Sequence, residues 1–169
     1  MNSFDKIIFV SNEDKTRAPM AATIMGALIK DKGFILESRG MVVLFPEPYN
    51  PKAIAVAKAR GMNLPSTFSR QLTGDEFGLK TLVLTMDSTQ KDKIYKNFPE
   101  ARNVFTLSEF AGESDVEVPD PYGKEEDAYM ACFDVLYGLV FKAADGILGF
   151  QDTVREKKNT GGNNGSNSM

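Results

Sequence analysis

A chain of 169 residues, 42% hydrophobic and 25% charged, has the size and composition of one globular domain, which excludes general disorder and a second independent core. Its 20 basic and 23 acidic side chains leave a net charge of -3, without the broad positive field that drives non-specific binding to nucleic acid or anionic membrane. One cysteine and no histidine exclude intrachain disulfides, cysteine-rich zinc sites and the Ser-His-Asp triad, so any hydrolysis must run on carboxylates, Arg, Lys, hydroxyls or a single thiol.

The first element is KIIFV at 6–10, a short β-branched apolar run of the kind that a strand buried on both faces needs. A polar stretch, SNEDKTR at 11–17, separates it from MAATIMGALIKDKG at 20–33, a helical pattern in which Pro19 suits the first turn and Gly33 the stop. Strand, polar loop and helix open a βα unit. The alternation continues with a strand at 34–38, a loop LFPEPYNP at 44–51, and a helix PKAIAVAKARG closed by Gly61. TLVLTMD at 81–87 predicts another buried strand, and STQKDKIYKNF after it predicts a helix capped by Asp87 or Ser88.

A further short strand is expected at 103–107, a surface loop over the acidic, proline-containing segment at 112–124, and a long helix from about 125 to 150. The last stretch, rich in Gly, Asn and Ser, lacks the apolar surface to offset the entropy of ordering, so a domain at 1–154 and a disordered tail at 155–169 are expected. No apolar run approaches the roughly 20 residues that span a bilayer, and the N-terminus has no signal-peptide layout, which points to a cytoplasmic protein with no membrane partner. Four strands alternating with helices imply an α/β fold, a doubly wound parallel sheet with helices on both faces. Its ligands bind beyond the carboxyl ends of the strands, at the loops after Val10 and Asp87.

The 11–17 loop therefore sits between a buried strand and a helix N-terminus, where backbone N–H groups and the helix dipole can cradle an anion. An ordinary βα turn accounts for the same pattern, because every α/β protein has several. The wider sequence favours the anion site. FVSNEDKTRAPMA, then ESRGM at 37–41, SRQL at 69–72, LTMD, and finally Asp120-Pro121-Tyr122 resemble, in order and spacing over 6–150, the low-molecular-weight protein-tyrosine-phosphatase family. In that family the first strand is followed by Cys, five residues, Arg, Ser or Thr, and Pro, and a late Asp-Pro-aromatic loop supplies a general acid.

The resemblance implies a fold, a mechanism and a site. A thiolate attacks phosphorus, Arg17 holds the phosphoryl oxygens, Asp120 protonates the leaving group, and Asn12, Glu13, Asp14, Lys15, Thr16 and Arg17 bind the phosphate. It implies no cofactor and no metal, and phosphate or a phosphorylated small molecule or protein as partner. Ser11 stands at the cysteine position. A helix N-terminus and an arginine bring a thiol from about 8.5 to between 3.5 and 7.5, whereas a hydroxyl starts far higher and stays protonated. The sequence therefore implies a catalytically dead or strongly weakened relative, a phospho-ligand module, with an active phosphomonoesterase using an atypical nucleophile as the alternative.

The loop has changed further. The family's supporting Asn, Ser, Ser and His correspond to Asp14, Ala18, Ser38 and Thr67, three of them different. Carboxylates at Glu13 and Asp14 near a dianion would each cost roughly 4 kcal/mol at about 4 Å and an effective dielectric near 20, and much less if turned outward. Phe45, Tyr49 and Tyr122 correspond to the family's substrate wall, although packing onto the sheet accounts equally for Phe45 and Tyr49, and an exposed loop for Tyr122. Arg70 and Gln71 suit either ligand contact or orientation of a neighbouring loop. Cys132 lies in an apolar helical stripe and is expected to be a buried core thiol. The acidic segment with Glu113, Asp115, Glu117 and Asp120 lacks the spacing of a calcium loop and is expected to be solvated.

Overall fold

The computed structural model describes residues 3–30 and 32–161, with side chains as far as residue 149. Four strands, β1 (Lys6–Ser11), β2 (Ile35–Gly40), β3 (Thr81–Thr85) and β4 (Val104–Thr106), form one sheet in the order β2-β1-β3-β4. Every pairing is parallel. The two central strands are the two continuous apolar runs, because a strand with helices on both faces has no solvent side on which to place polar residues.

The pleat sends alternate residues of β1 to opposite layers. Ile7 and Phe9 enter the larger core with Ala21, Ile24 and Met25 of helix α1 (Arg17–Leu28), Val56 of α2 (Pro51–Ala59), and Cys132, Phe133 and Leu136 of the long C-terminal helix. Ile8 and Val10 enter a smaller core with Ile94 of α3 (Ser88–Asn97). The remaining helices are a single turn, α4 (Leu107–Phe110), and α5 (Glu126–Gly161).

Several boundaries move from their sequence positions. Arg17 is the first residue of α1, so the helix begins ahead of the expected 20–33 pattern with Pro19 in its first turn. The helix ends at Leu28, with Ile29 buried as its C-cap, and Gly33 takes a positive φ of 80° in the turn that follows. The helix α5 begins at Glu126 as expected and runs to Gly161, beyond the helix end expected at about 150. The remainder of the expected tail, 162–169, lies outside the described residues.

What positions the functional loop is the register at the carboxyl end of the sheet, where Ser11 lies beside Gly40. A Cβ at Gly40 would sit 2.6 Å from Val43 Cγ2, 2.9 Å from the Glu13 carbonyl carbon and 3.1 Å from the Asp14 nitrogen. The loop rests directly on a missing side chain. Gly40→Ala is expected to push the loop off β2 and destabilise the protein by about 1–3 kcal/mol, and an unchanged urea midpoint would contradict that close approach.

Candidate anion-binding site

The loop at 11–16 leaves the buried end of β1 and turns into α1, its direction changed at Asp14, which has φ 57°. Asp and Asn tolerate this left-handed conformation better than most residues. Its outer edge is fastened through carbonyl oxygens: Met41 N–H donates to Ser11 O (2.9 Å), Val42 N–H to Asn12 O (3.1 Å) and Asn50 N–H to Lys15 O (2.9 Å). None of these ties uses a loop N–H, and the N-terminal turn of α1 adds its own unpaired donors.

Ser11, Asn12, Glu13, Lys15, Thr16, Arg17, Asp120 and Tyr122 line a cleft of about 80 Å³, room for two or three waters or one tetrahedral oxyanion. Ser11 is only 4% exposed and ends the strand at the cleft floor. Arg17 is equally buried. Its guanidinium donates from Nη1 to Val118 O (3.3 Å), and stands 3.6 Å from an Asp120 oxygen and 3.9 Å from an Asp87 oxygen. Asp120 is placed by its own turn, its Oδ1 accepting the Tyr122 N–H at 3.1 Å. A hydroxyl and a guanidinium from the two ends of one loop and a carboxylate from about a hundred residues further on thus converge on one cleft.

The acidic loop residues part company. Glu13 is exposed and meets Lys15 Nζ at 3.6 Å, while Lys15 also donates to Glu47 at 2.5 Å. These partners hold the ammonium more firmly protonated than usual, the Glu47 hydrogen bond contributing most. Asp14, expected to bind phosphate, turns its side chain away from the cleft and under the loop, where Oδ2 accepts the Arg70 N–H at 2.9 Å. Asp14 therefore does not crowd the cleft, while Glu13 stays at its lining with Lys15 beside it.

Asp14 is almost wholly buried. Burial pushes its carboxyl from 3.8 up to about 6, against smaller opposing pulls from the Ser38 hydroxyl, the Arg70 N–H and the Arg39 and Arg70 charges. Ser38 favours the charged form, yet Oδ1 ends with no donor in hydrogen-bonding geometry. Because the folded pKa lies above the unfolded one, this group's contribution to stability is full below about pH 4 and is lost as pH rises through about 6. The stability of Asp14→Asn relative to the natural protein should therefore rise between about pH 4 and pH 7, by up to about 3 kcal/mol. Denaturation curves showing a constant difference would contradict the burial argument.

Of the expected substrate wall, Phe45 and Tyr122 stand 77% and 70% exposed on either side of the loop. Tyr49 does not join them. It is buried, with its hydroxyl 3.4 Å from Ser38 Oγ, because the extended segment before α2 folds its ring onto the sheet. Gln71 orients a neighbouring loop, accepting the Val43 N–H (2.8 Å) and donating to Met41 O (2.8 Å). Arg70 contributes its backbone N–H to Asp14.

Gln90 was not among the expected residues. Its Nε2 donates to Asn12 Oδ1 (2.9 Å) while its Oε1 accepts the Met86 N–H (2.8 Å), so the buried start of α3 fixes the loop from the side opposite Asp14. The spacing Asp87-x-x-Gln90 is a capping-box signal, and Asp87 does cap α3 by accepting the Gln90 N–H at 2.9 Å. Cys132 lies in α5, outside the cleft lining. Burial pushes its thiol up to about 12 despite the nearby positive charge of Arg17.

An all-parallel sheet with helices on both faces, whose first strand runs through a short loop into a helix opening on a buried arginine, defines an α/β protein with a candidate anion site at that loop. The family model described as low molecular weight phosphotyrosine protein phosphatase matches residues 6–155, and the chain belongs to that family. It is 33% identical over 144 residues to a protein-arginine-phosphatase of Geobacillus stearothermophilus, covering 83% of this chain and 94% of the relative. It is 30% identical over 141 residues to the low molecular weight protein-tyrosine-phosphatase PtpB of Staphylococcus aureus, covering 83% and 97%. A solved structure of the YwlE arginine phosphatase, a cysteine-to-serine mutant with a phosphorylated active-site serine, superposes with a TM-score of 0.78 at 29% identity, covering 85% of this chain and 95% of that one.

Proposed function

We propose that this protein binds a phosphoryl group in the cleft between Ser11, Arg17 and Asp120, and that its phosphatase turnover is lost or strongly weakened. The observation that carries the reading is the floor of the cleft. Ser11 occupies the end of β1, and the chain's one thiol is buried in α5. An oxyanion in the cleft would meet the loop amides, the dipole of α1 and the Arg17 fork, which together supply charge-assisted hydrogen bonds. The hydroxyl beneath it is a poor nucleophile without a base, and no histidine exists in the chain to deprotonate it.

The relatives are named for protein-arginine and protein-tyrosine dephosphorylation, which supports a phosphorylated protein side chain as the ligand class. Hydrolysis of p-nitrophenyl phosphate from about pH 5 to 8 tests this, with Arg17→Ala purified in parallel. The expected result is no turnover above that control, together with a phosphate-induced rise in melting temperature, about 2.7 kcal/mol of stability at a hundredfold excess over Kd. Turnover that vanishes in Arg17→Ala would overturn the catalytic half, and an unchanged melting temperature the binding half.

A second reading is slow phosphoryl transfer to Ser11. It is favoured by the placement of Asp120 3.6 Å from the arginine and by the phosphorylated serine in the related mutant structure. The bond from Ser11 Oγ to phosphorus would form as the donor's bond breaks, with a proton passing from Asp120 to the leaving group and the hydroxyl proton passing to water. Intact mass spectrometry after incubation with a phosphoryl donor would show one added phosphoryl group, absent in Ser11→Ala.

A further inference from the structure

Beneath the cradle lies a carboxyl that forms no ion pair among the described residues, the charges of Arg39 and Arg70 acting on it only from a distance. From β2, the hydroxyl of Ser38 and the guanidinium of Arg39 face Asp14; from the segment before α2, the Tyr49 hydroxyl; and from the segment after α2, Arg70. The guanidinium of Arg39 is committed elsewhere, donating from Nε to Glu76 (2.7 Å) and from Nη1 to Glu37 (3.1 Å) and to Ser38 O (2.7 Å). That of Arg70 contacts Thr67 at 3.5 Å and Glu37 at 3.8 Å. One Asp14 oxygen takes the Arg70 N–H, and the other is buried with no donor. When ionised, this group sets a negative charge directly below a loop whose amides would receive a second anion.

Protonation would correct both defects. It removes the like charge, and it ends the cost of holding an ionised oxygen, Oδ1, buried with no donor in hydrogen-bonding geometry. We infer that Asp14 is a proton-linked positioning residue: the loop takes up a proton at its carboxyl when the cradle takes an oxyanion, so anion affinity rises as pH falls. This rests on the phosphoryl-binding reading above. Burial holds the carboxyl near 6, and the chain has no histidine, the side chain that ordinarily titrates between pH 5 and 8, so a pH dependence there points to Asp14. By linkage, the bound anion in turn raises the affinity of Asp14 for its proton.

Sulfate is the probe, because it stays a dianion over the whole range whereas phosphate itself titrates. Calorimetric titration of the full chain at constant ionic strength should give a Kd roughly tenfold weaker at about pH 7.5 than at about pH 5, equivalent to about 1.4 kcal/mol. The heat should vary with the ionisation enthalpy of the buffer near pH 6.5, revealing proton uptake. Asp14→Asn keeps the acceptor for the Arg70 N–H and should bind with a flat profile, at neutral pH as tightly as the natural protein does in acid. A flat profile in the natural protein overturns the proton linkage and leaves the cradle reading standing. The natural pH profile persisting in Asp14→Asn overturns the assignment to Asp14. No sulfate binding even at about pH 5 overturns both, and should Asp14→Asn fail to fold, the natural protein's profile and its buffer-dependent heat still decide.

Discussion

Arg17→Ala is expected to weaken sulfate or phosphate binding by a hundredfold or more, equivalent to about 3 kcal/mol. Three effects act in the same direction. The variant loses a forked donor that can hold two anion oxygens at once. It leaves the carboxylates of Asp120 and Asp87, now 3.6 and 3.9 Å from the guanidinium, facing the incoming anion with nothing between them. It also frees the buried Val118 carbonyl from its donor, which loosens the segment that carries Asp120. Arg17→Lys separates the first effect from the others, since it restores a charge without the planar fork and should recover only part of the affinity. Titration calorimetry on the three proteins measures this directly. Binding to Arg17→Ala within a few-fold of the natural value would mean that the anion sits elsewhere.

The fold was readable in the sequence wherever one physical requirement dominated. Burial on both faces left no freedom in 7–10 or 82–84, so those strands appear as unbroken apolar runs. Asp87 announces α3 because a helix start needs an acceptor for its free N–H groups. Features that depend on two distant segments meeting were not readable. Nothing near Asn12 specifies that Gln90 will hold it, and nothing in LFPEPYNP separates the buried ring of Tyr49 from the exposed ring of Phe45. The direction of the Asp14 side chain follows from one left-handed backbone angle, which sequence spacing does not encode. Gly40 was equally hidden, since its missing Cβ matters only when another segment lies on top of it.

Ser11→Cys is expected to restore a reactive thiol but only a small part of the hydrolysis. The new sulfur would lie at the end of β1 beside the N-terminal turn of α1 and the Arg17 charge, an environment that depresses a thiol toward the range 3.5 to 7.5. Iodoacetamide should therefore label it at neutral pH, whereas the natural protein stays unlabelled because burial holds Cys132 up at about 12. Reaction needs more than a thiolate. With Ala18 in the first turn of α1 there is no hydroxyl at that point of the loop, and ionised Asp14 below it opposes both the thiolate and the phosphoryl dianion. Turnover of p-nitrophenyl phosphate by Ser11→Cys should accordingly fall at least about a hundredfold below the roughly 10 per second of a median enzyme. Adding Asp14→Asn should raise it about tenfold at neutral pH, and less below pH 6 where Asp14 already carries its proton. Full turnover in Ser11→Cys alone would show that the surrounding loop still supports catalysis and that a single atom, the sulfur replaced by oxygen, accounts for the missing activity. Labelling without turnover in both variants would instead place the defect in the geometry of Arg17 and Asp120 around the bound phosphoryl group.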